Sequence, residues 1–497
     1  MSKHLDRLIT ALLPLPFVGT AYLNILCYPF GLHAHDRLRT LSVFGFLGVV
    51  ALLLLGKVLL LCRDKPESRR LILCAACIPL LYGVLQLWSL LVCQDKAAIF
   101  SETLINGCQL VSCSCALLIV LTEARLRSFL RTARIYALIL SPIVLFYCVR
   151  FYLPEADDSA HSLGSVPYMS LAYTLLELCV FLLLEVLLYD TDHKKAASFF
   201  LVDLALTLLF SAAIALAGTK GTILCLLVCV LCILAARALS RIYIYMRGVL
   251  LAAASCLVLL LFSTVLFPHN DVDNRFLFFW RELTPSASVT ITEKDRQETA
   301  AIMDKLTPPA ASEGDESSAD TRPADGSGSS ENMVDIVDSV LSGEAQEQLE
   351  AGAITQEEYD KLEDMKKKLN NTSTGARKYL WSSALSEIRS APLTGHGPHS
   401  FQEKYGTYPH NFFLELAADF GLPITIVLFL FGLFVFLRLF RLSRSSRWYA
   451  AFLLYVLTFF PQAMVSGSLY GAQVFFQYGF CVLLLFRPPA GSLCKQE

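Results

Sequence analysis

The 497-residue chain has almost no net charge, formally -2, and only 17% charged residues. No sizeable basic surface is available, which excludes a nucleic-acid binder, and 55% apolar residues with a positive mean hydropathy exclude a soluble enzyme. Cysteine is missing from 269–409, the one long polar stretch, so no disulfide framework supports it. The sixteen cysteines lie almost entirely in apolar runs, as Cys113, Cys115, Cys225, Cys229 and Cys232 do, and read as small packing residues. Cys74 and Cys77 lack partners for a zinc site. The amino end has basic flanks at Lys3 and Arg7 but no small-residue cleavage site, so its apolar run reads as a retained helix. Barrel alternation, a clear internal repeat and a cytoplasmic output domain are also lacking.

What is present is a series of apolar runs, at 11–32, 41–62, 71–92, 104–121, 134–153, 167–189, 196–217, 220–236, 248–268, 410–437, 449–466 and 471–487. Each is close to the ~20 residues that carry a helix across a bilayer. Only helices or closed barrels satisfy their backbone in lipid, so the expectation is an all-α polytopic membrane protein of about twelve spans. The connections at 63–70, 122–134, 190–195, 237–247 and 438–448 are rich in Lys and Arg, and the intervening ones are not. This alternation predicts both termini in the cytoplasm and 269–409 outside, between helices nine and ten. The membrane domain is then 1–268 plus 410–487, with a cytoplasmic tail at 488–497.

Within the outside loop, 284–375 is an acidic insertion. Ser312–Asn332 has too few apolar residues to offset its ordering entropy and reads as disordered. Glu344–Glu350 and Gln356–Leu369 read as a helical hairpin, with Gly352 in the turn and Thr355 and Glu358 forming a capping box. Over 376–390, Leu380, Trp381, Ala384, Leu385 and Ile388 recur at helical spacing, which suits an amphipathic helix on the outer membrane boundary. Pro392 ends it, and Gly395 and Gly397 permit tight turns.

Polar residues near the re-entry point carry any chemistry. Asn411, Glu415 and Asp419 are four apart and form one stripe, facing water or lining a cavity open to the outside; Gly421 and Pro423 predict a kink after it. His410 has three roles open: a structural cap, a metal ligand with His396 and His399 in a spacing that matches no zinc motif, or a general base working near neutral pH. Lys220 lies in the tight outer hairpin Gly218-Thr219-Lys220-Gly221, either as a residue reaching for the interface or as a cation for a ligand. Arg377 is a third cation on this face; with Lys220 it could hold a diphosphate, and Arg275 and Arg281 are supplementary candidates. Deeper in lipid lie Lys57, placed to snorkel, and Glu177, Glu185 and Asp203; Glu177, near mid-membrane, is the costliest.

The elements Arg377-x3-Trp381, Pro392-Leu393-x-Gly395-x-Gly397, His410-Asn411-x2-Leu414-Glu415 with Gly421, and the Lys220 hairpin resemble the O-antigen ligase and polymerase family of bacterial membrane glycosyltransferases. The likeness extends to the layout of about twelve helices with one large outside loop. Lys220 stands where many members have Arg, and compact members lack the 284–375 insertion. The resemblance implies a GT-C-like membrane enzyme of the cytoplasmic membrane. Its reaction would be inverting transfer of a glycan from undecaprenyl diphosphate to an acceptor hydroxyl outside, with no metal or other cofactor. His410 would be the base, oriented by Asn411 or Glu415, and Lys220 with Arg377 would hold the diphosphate. The partners are the lipid-linked glycan, an acceptor glycan or lipid, and membrane lipids. A flippase of lipid-linked saccharides is the alternative, using the same cations without chemistry.

Overall fold

The structure, a computed structural model, describes residues 3–30, 37–64, 69–93, 96–123, 125–153, 156, 158–163, 166–189, 196–238, 246–268, 274, 355–356, 373–405, 407–444, 447–465 and 467–470. Fourteen α-helices follow in order: α1 Lys3–Leu12, α2 Leu15–Cys27, α3 Arg37–Asp64, α4 Arg69–Val92, α5 Lys96–Thr122, α6 Leu126–Arg150, α7 Tyr168–Tyr189, α8 Ala196–Ala217, α9 Lys220–Ala238, α10 Met246–Ser263, α11 Ser373–Ser390, α12 Ser400–Tyr405, α13 Phe412–Leu442 and α14 Arg447–Val465. No strand occurs among the described residues. Nine of these helices are long and apolar enough to cross a membrane, ten if the bent pair α1–α2 is one span, and α14 adds a shorter apolar helix, Tyr449–Met464. The twelfth expected span, 471–487, lies outside the described residues, as do Arg275, Arg281 and the 284–375 insertion apart from Thr355, Gln356 and the first turn of α11.

The first apolar run, expected as one helix, is broken. It bends by 71° between Leu12 and Leu15, beside Pro14, and Gly19 has φ 59 inside α2. Pro14 and Pro16 each lack an N–H, so the helical ladder has no donor there. The most enclosed helix is α7, with 94% of its span window buried against its neighbours. By contrast α3 and α4 present Leu52, Leu59, Leu73, Leu80 and Leu91 outward, more than half exposed, as a surface in contact with hydrocarbon would be.

Charges inside the spans are paired. Lys57 does not snorkel: its Nζ lies 2.6 Å from Glu123 and 3.1 Å from Asp6, and Arg125 closes the ring with 2.7 Å contacts to both carboxylates. Arg134 on α6 forks onto Asp203 of α8 at 2.6 and 2.7 Å and reaches Glu185 of α7 at 3.0 Å. Glu177 accepts the Tyr455 hydroxyl at 2.5 Å. Each carboxylate thus has a donor on another helix, which desolvation in lipid demands.

The expected kink in α13 is sharp. Gly421 has φ 82 and ψ 168, and the rings of Phe413 and Phe429 stand 5.6 Å apart, whereas sixteen residues of straight helix would separate them by about 24 Å. The half-helix 412–420 therefore folds back beside the longer piece 422–442. The break frees backbone groups. The Ala418 carbonyl loses Leu422 N–H, which donates instead to Pro392 at 2.8 Å, and the Asp419 carbonyl would pair with residue 423, a proline. Loop 391–399 supplies the missing donors: His396 N–H to Ala418 O at 3.1 Å and Gly397 N–H to Asp419 O at 2.9 Å. The two backbones run so close that a Cβ on Gly421 would fall 2.6 Å from the Leu393 carbonyl carbon, and one on Gly395 (φ 65) would collide with the Asp419 carbonyl.

Gly395→Ala and Gly421→Ala should each lose about 2 kcal/mol or more, combining a strained φ with overlap, read as a lower Tm of the detergent-solubilised protein. Gly45→Ala, where a Cβ meets nothing within 4 Å, is the control; equal Tm values for all three would remove the crossing as a constraint.

Candidate functional site

The polar stripe of the half-helix faces protein rather than water or an open cavity. Asn411, with φ -149 and ψ 113, is the N-cap: its Oδ1 accepts from Phe413 N–H at 3.0 Å and Leu414 N–H at 3.1 Å. One turn on, Glu415 accepts from Ser468 Oγ at 3.0 Å and from Leu469 N–H at 2.5 Å. A further turn on, Asp419 gathers four donors: Ser400 Oγ at 2.8 Å, Phe401 N–H at 3.4 Å, His399 N–H at 3.1 Å and the Tyr470 hydroxyl at 2.5 Å. Two irregular loops, 396–401 and 467–470, contain backbone N–H groups with no ladder to enter, and these carboxylates are their acceptors. The stripe thus binds the two loops to one another through α13.

The same loops reach α4. The Tyr82 hydroxyl donates to Tyr470 O at 3.1 Å, and the Cys93 thiol approaches Pro398 O at 3.3 Å. The α4–α5 connection therefore shares an end of the molecule with the loop that precedes His410.

His410 precedes the cap with φ 51, one of two described non-glycine residues at positive φ. It is partly exposed, and the Tyr408 ring packs against it at 4.3 Å. The Pro409 carbonyl just before it accepts the Trp381 indole N–H at 2.9 Å, which docks α11 beside the imidazole. That contact accounts for the Trp of Arg377-x3-Trp381. Arg377 stands one turn earlier on α11, and its side chain lies outside the described residues. The helix packs Leu380, Ala384 and Ile388 against Phe401, Ala417 and Ala418, so its buried side is turned to protein; Leu385, 46% exposed, is left to face outward.

Lys220 is the first residue of α9 and half-buried. α9 packs antiparallel on α14, with Cys225 meeting the Gln462 backbone and Cys229 the Thr458 hydroxyl. Carrying that register back from Cys225 to Lys220 brings the lysine level with residue 467, at the head of the loop that Glu415 grips. Backbone topology therefore gathers Lys220, His410 and Arg377 at one end of the bundle.

His399, offered by the sequence only as a possible metal partner of His410, meets here two residues that the sequence did not single out, Tyr470 and Ser400. His399, at φ 57, is buried and stacks on Tyr470 with ring centroids 3.5 Å apart; its Nδ1 lies 3.1 Å from Gln402 Oε1. Burial pushes its imidazole below the ordinary value, with Gln402 and Glu403 pulling the other way. Tyr470 and Ser400 complete the cluster around Asp419. His396 is set apart, its Nε2 2.9 Å from Ser390 Oγ. Nearby, Glu387 binds Lys404 at 2.7 Å and the Tyr405 hydroxyl at 2.8 Å; burial opposes its ionisation, but these partners hold its carboxyl below the usual range.

Asp419→Ala should strand the Ser400, Phe401 and Tyr470 donors, leaving His399 N–H only the Tyr470 hydroxyl at 2.7 Å, and cost about 1–3 kcal/mol, with faster hydrogen exchange at 396–401 and 467–470 and little change in α3. An unaltered exchange pattern would deny the carboxylate its tying role. For His399 the folded value lies below the unfolded one, near ~6.5, so the unfolded chain takes up a proton first as pH falls. Its stabilisation is complete above about pH 6.5 and lost progressively below that value. His399→Phe should flatten this limb of Tm against pH; an unchanged slope would assign the loss to other groups.

A family model described as O-antigen ligase matches residues 205–429. No curated protein and no solved structure matches the chain. The matched segment opens in α8, before the Lys220 hairpin, and closes in α13, just after the Gly421 break. Over residues 205–429, which hold Lys220, Arg377, His410 and the crossing of Gly395 with Gly421, the chain is similar to the O-antigen ligase family.

Proposed function

We propose that the protein transfers or polymerises a glycan carried on undecaprenyl diphosphate, delivering it to an acceptor hydroxyl at the outer face of the bacterial cytoplasmic membrane. The observation that carries the reading is the family match over 205–429 together with the gathering of its cationic and imidazole residues at one end of the bundle. His410 is the general base: a partly exposed imidazole beside a capped half-helix, the side-chain type suited to proton transfer near neutral pH. It removes the acceptor's hydroxyl proton as that oxygen attacks the anomeric carbon, giving inversion. The carbon–phosphate oxygen bond breaks, and undecaprenyl diphosphate leaves.

Lys220 and Arg377 stabilise the charge that develops on the leaving diphosphate, the lysine as a point charge and the arginine as a fork. Asn411 and Glu415, assigned to imidazole orientation by the sequence, support it here at one remove. One caps the helix that begins after His410, and the other fixes the neighbouring loop. Arg275 and Arg281 remain supplementary cations for the diphosphate.

His410→Ala should leave the protein in the membrane, lower transfer by about 10²–10⁴-fold and let lipid-linked precursor accumulate outside. Undiminished glycan output would discard the base. Lys220→Ala and Arg377→Ala should raise the donor KM and lower kcat, while Lys220→Arg retains most activity. The assay is purified protein with a defined undecaprenyl-diphosphate oligosaccharide, with and without an added acceptor. Product length separates polymerisation from transfer to a different acceptor, and carrier movement without any new glycosidic bond would indicate a flippase.

A further inference from the structure

The two side chains that the sequence offered for orienting the His410 imidazole are engaged with other groups. Asn411 Oδ1 accepts from Phe413 and Leu414 N–H, and Glu415 accepts with one oxygen from Ser468 Oγ and with the other from Leu469 N–H. A ring that meets the imidazole directly is that of Tyr408, with centroids 4.3 Å apart and planes inclined at 57°. Both residues are half-buried, so the pair keeps a side open to an incoming molecule.

Local backbone chemistry builds this contact. A residue before proline is held extended, and the Pro409 ring fixes its own φ at about -65°, so Tyr408 and His410, two apart, project to the same side. His410 then takes φ 51, a left-handed conformation that a residue with a Cβ rarely adopts. Both flanks are pinned. The Trp381 indole N–H holds the Pro409 carbonyl at 2.9 Å on one side, and Asn411 caps α13 on the other. Strained backbone of this kind persists only where its surroundings over-determine it, and here it turns the imidazole against an aromatic ring.

We infer that Tyr408 is a positioning residue for the proposed reaction: its ring holds the His410 imidazole where it takes the acceptor's hydroxyl proton, and its π-face stabilises the imidazolium that results. The inference rests on His410 being the base but concerns a residue that moves no proton itself. The separation is well inside the ~6 Å over which an aromatic ring attracts a cation. Holding matters because a reacting group misplaced by about 1 Å loses about 10²-fold in rate.

The test uses the full-length protein in nanodiscs, the undecaprenyl-diphosphate oligosaccharide donor and an acceptor, with wild type set against Tyr408→Phe and Tyr408→Leu. Phe keeps the ring; Leu keeps the imidazole shielded from water but has no π-face. Tyr408→Phe should retain kcat within about threefold. Tyr408→Leu should lower kcat about tenfold to a hundredfold, with donor and acceptor KM changed by less than about threefold. Its acidic limb of kcat should also move: a less stabilised imidazolium loses its proton sooner, so the limb shifts to lower pH by about half a unit. Lys220, Arg377, His399, Glu415, Asp419 and Tyr470, the titratable groups gathered at this end of the bundle, are common to all three proteins and cancel from the comparison. Equal loss in both variants would assign the effect to the hydroxyl and overturn the inference, as would full kcat in Tyr408→Leu. A Leu variant whose Tm falls together with its kcat would make the ring a purely structural part and overturn it too.

A second measurement does not depend on transfer. With isotope-labelled histidine, the His410 Hε1 NMR signal, assigned by its loss in His410→Ala, should carry a ring-current shift in wild type and Tyr408→Phe that vanishes in Tyr408→Leu. The same signal position in all three proteins would overturn the contact. Full transfer by His410→Ala with the ring-current shift intact would sink the proposed base and, with it, the role given to Tyr408. Transfer lost in His410→Ala but untouched in Tyr408→Leu would sink the inference alone.

Discussion

Two carbonyl oxygens without helical donors, on Ala418 and Asp419, organise the end of the bundle that holds His410. Pro423 has no N–H to give, and Leu422 gives its own to Pro392, so the chain at 396–397 must come close enough to donate in their place. That approach is compatible only with glycine at 395 and 421, both at positive φ. Once the strands cross, the Asp419 side chain lies within reach of the next turn of the loop, and Ser400, Phe401 and His399 turn toward it. Glu415, one turn earlier, holds the other loop by the same chemistry. Position and orientation of His410 follow from this fixed frame, because Asn411 can cap the half-helix only if the half-helix is anchored.

Much of this was readable from sequence, and for identifiable reasons. Spans announce themselves because hydrocarbon admits only long apolar helices, and the runs at 196–217 and 71–92 recur as α8 Ala196–Ala217 and α4 Arg69–Val92. The break at Gly421 and Pro423 was legible because each residue has a local backbone consequence. The direction of the 411–415–419 stripe was not. Four-residue spacing places side chains on one face but does not say what that face meets, and the partners, Ser468 to Tyr470 and His399 to Phe401, are separated from it by sequence or by turns without a pattern. Lys57 was misjudged for a similar reason: snorkelling and pairing look identical until Asp6 and Glu123 are brought alongside.

The apolar character of α11 shows how a periodic pattern can have two meanings. Leu380, Ala384 and Ile388 repeat as they would on a membrane surface, yet they pack against α12 and the half-helix, and Trp381 joins the Pro409 carbonyl. The family likeness gains a physical content from this. Arg377-x3-Trp381 brings a cation one turn from the residue that docks α11 next to His410, so the motif reads as an anchor and its cargo.

The ion triad of Arg134, Glu185 and Asp203 bears on how the protein is made. Each of α6, α7 and α8 carries one member inside its span, and an isolated charge in a span disfavours insertion, by up to about 3 kcal/mol at the helix centre. Released singly into lipid, each helix would meet that penalty alone. Side by side they cancel it, so these three consecutive segments are best accommodated when they leave the translocation machinery as a cluster, with the arginine-bearing helix waiting for its two acidic successors.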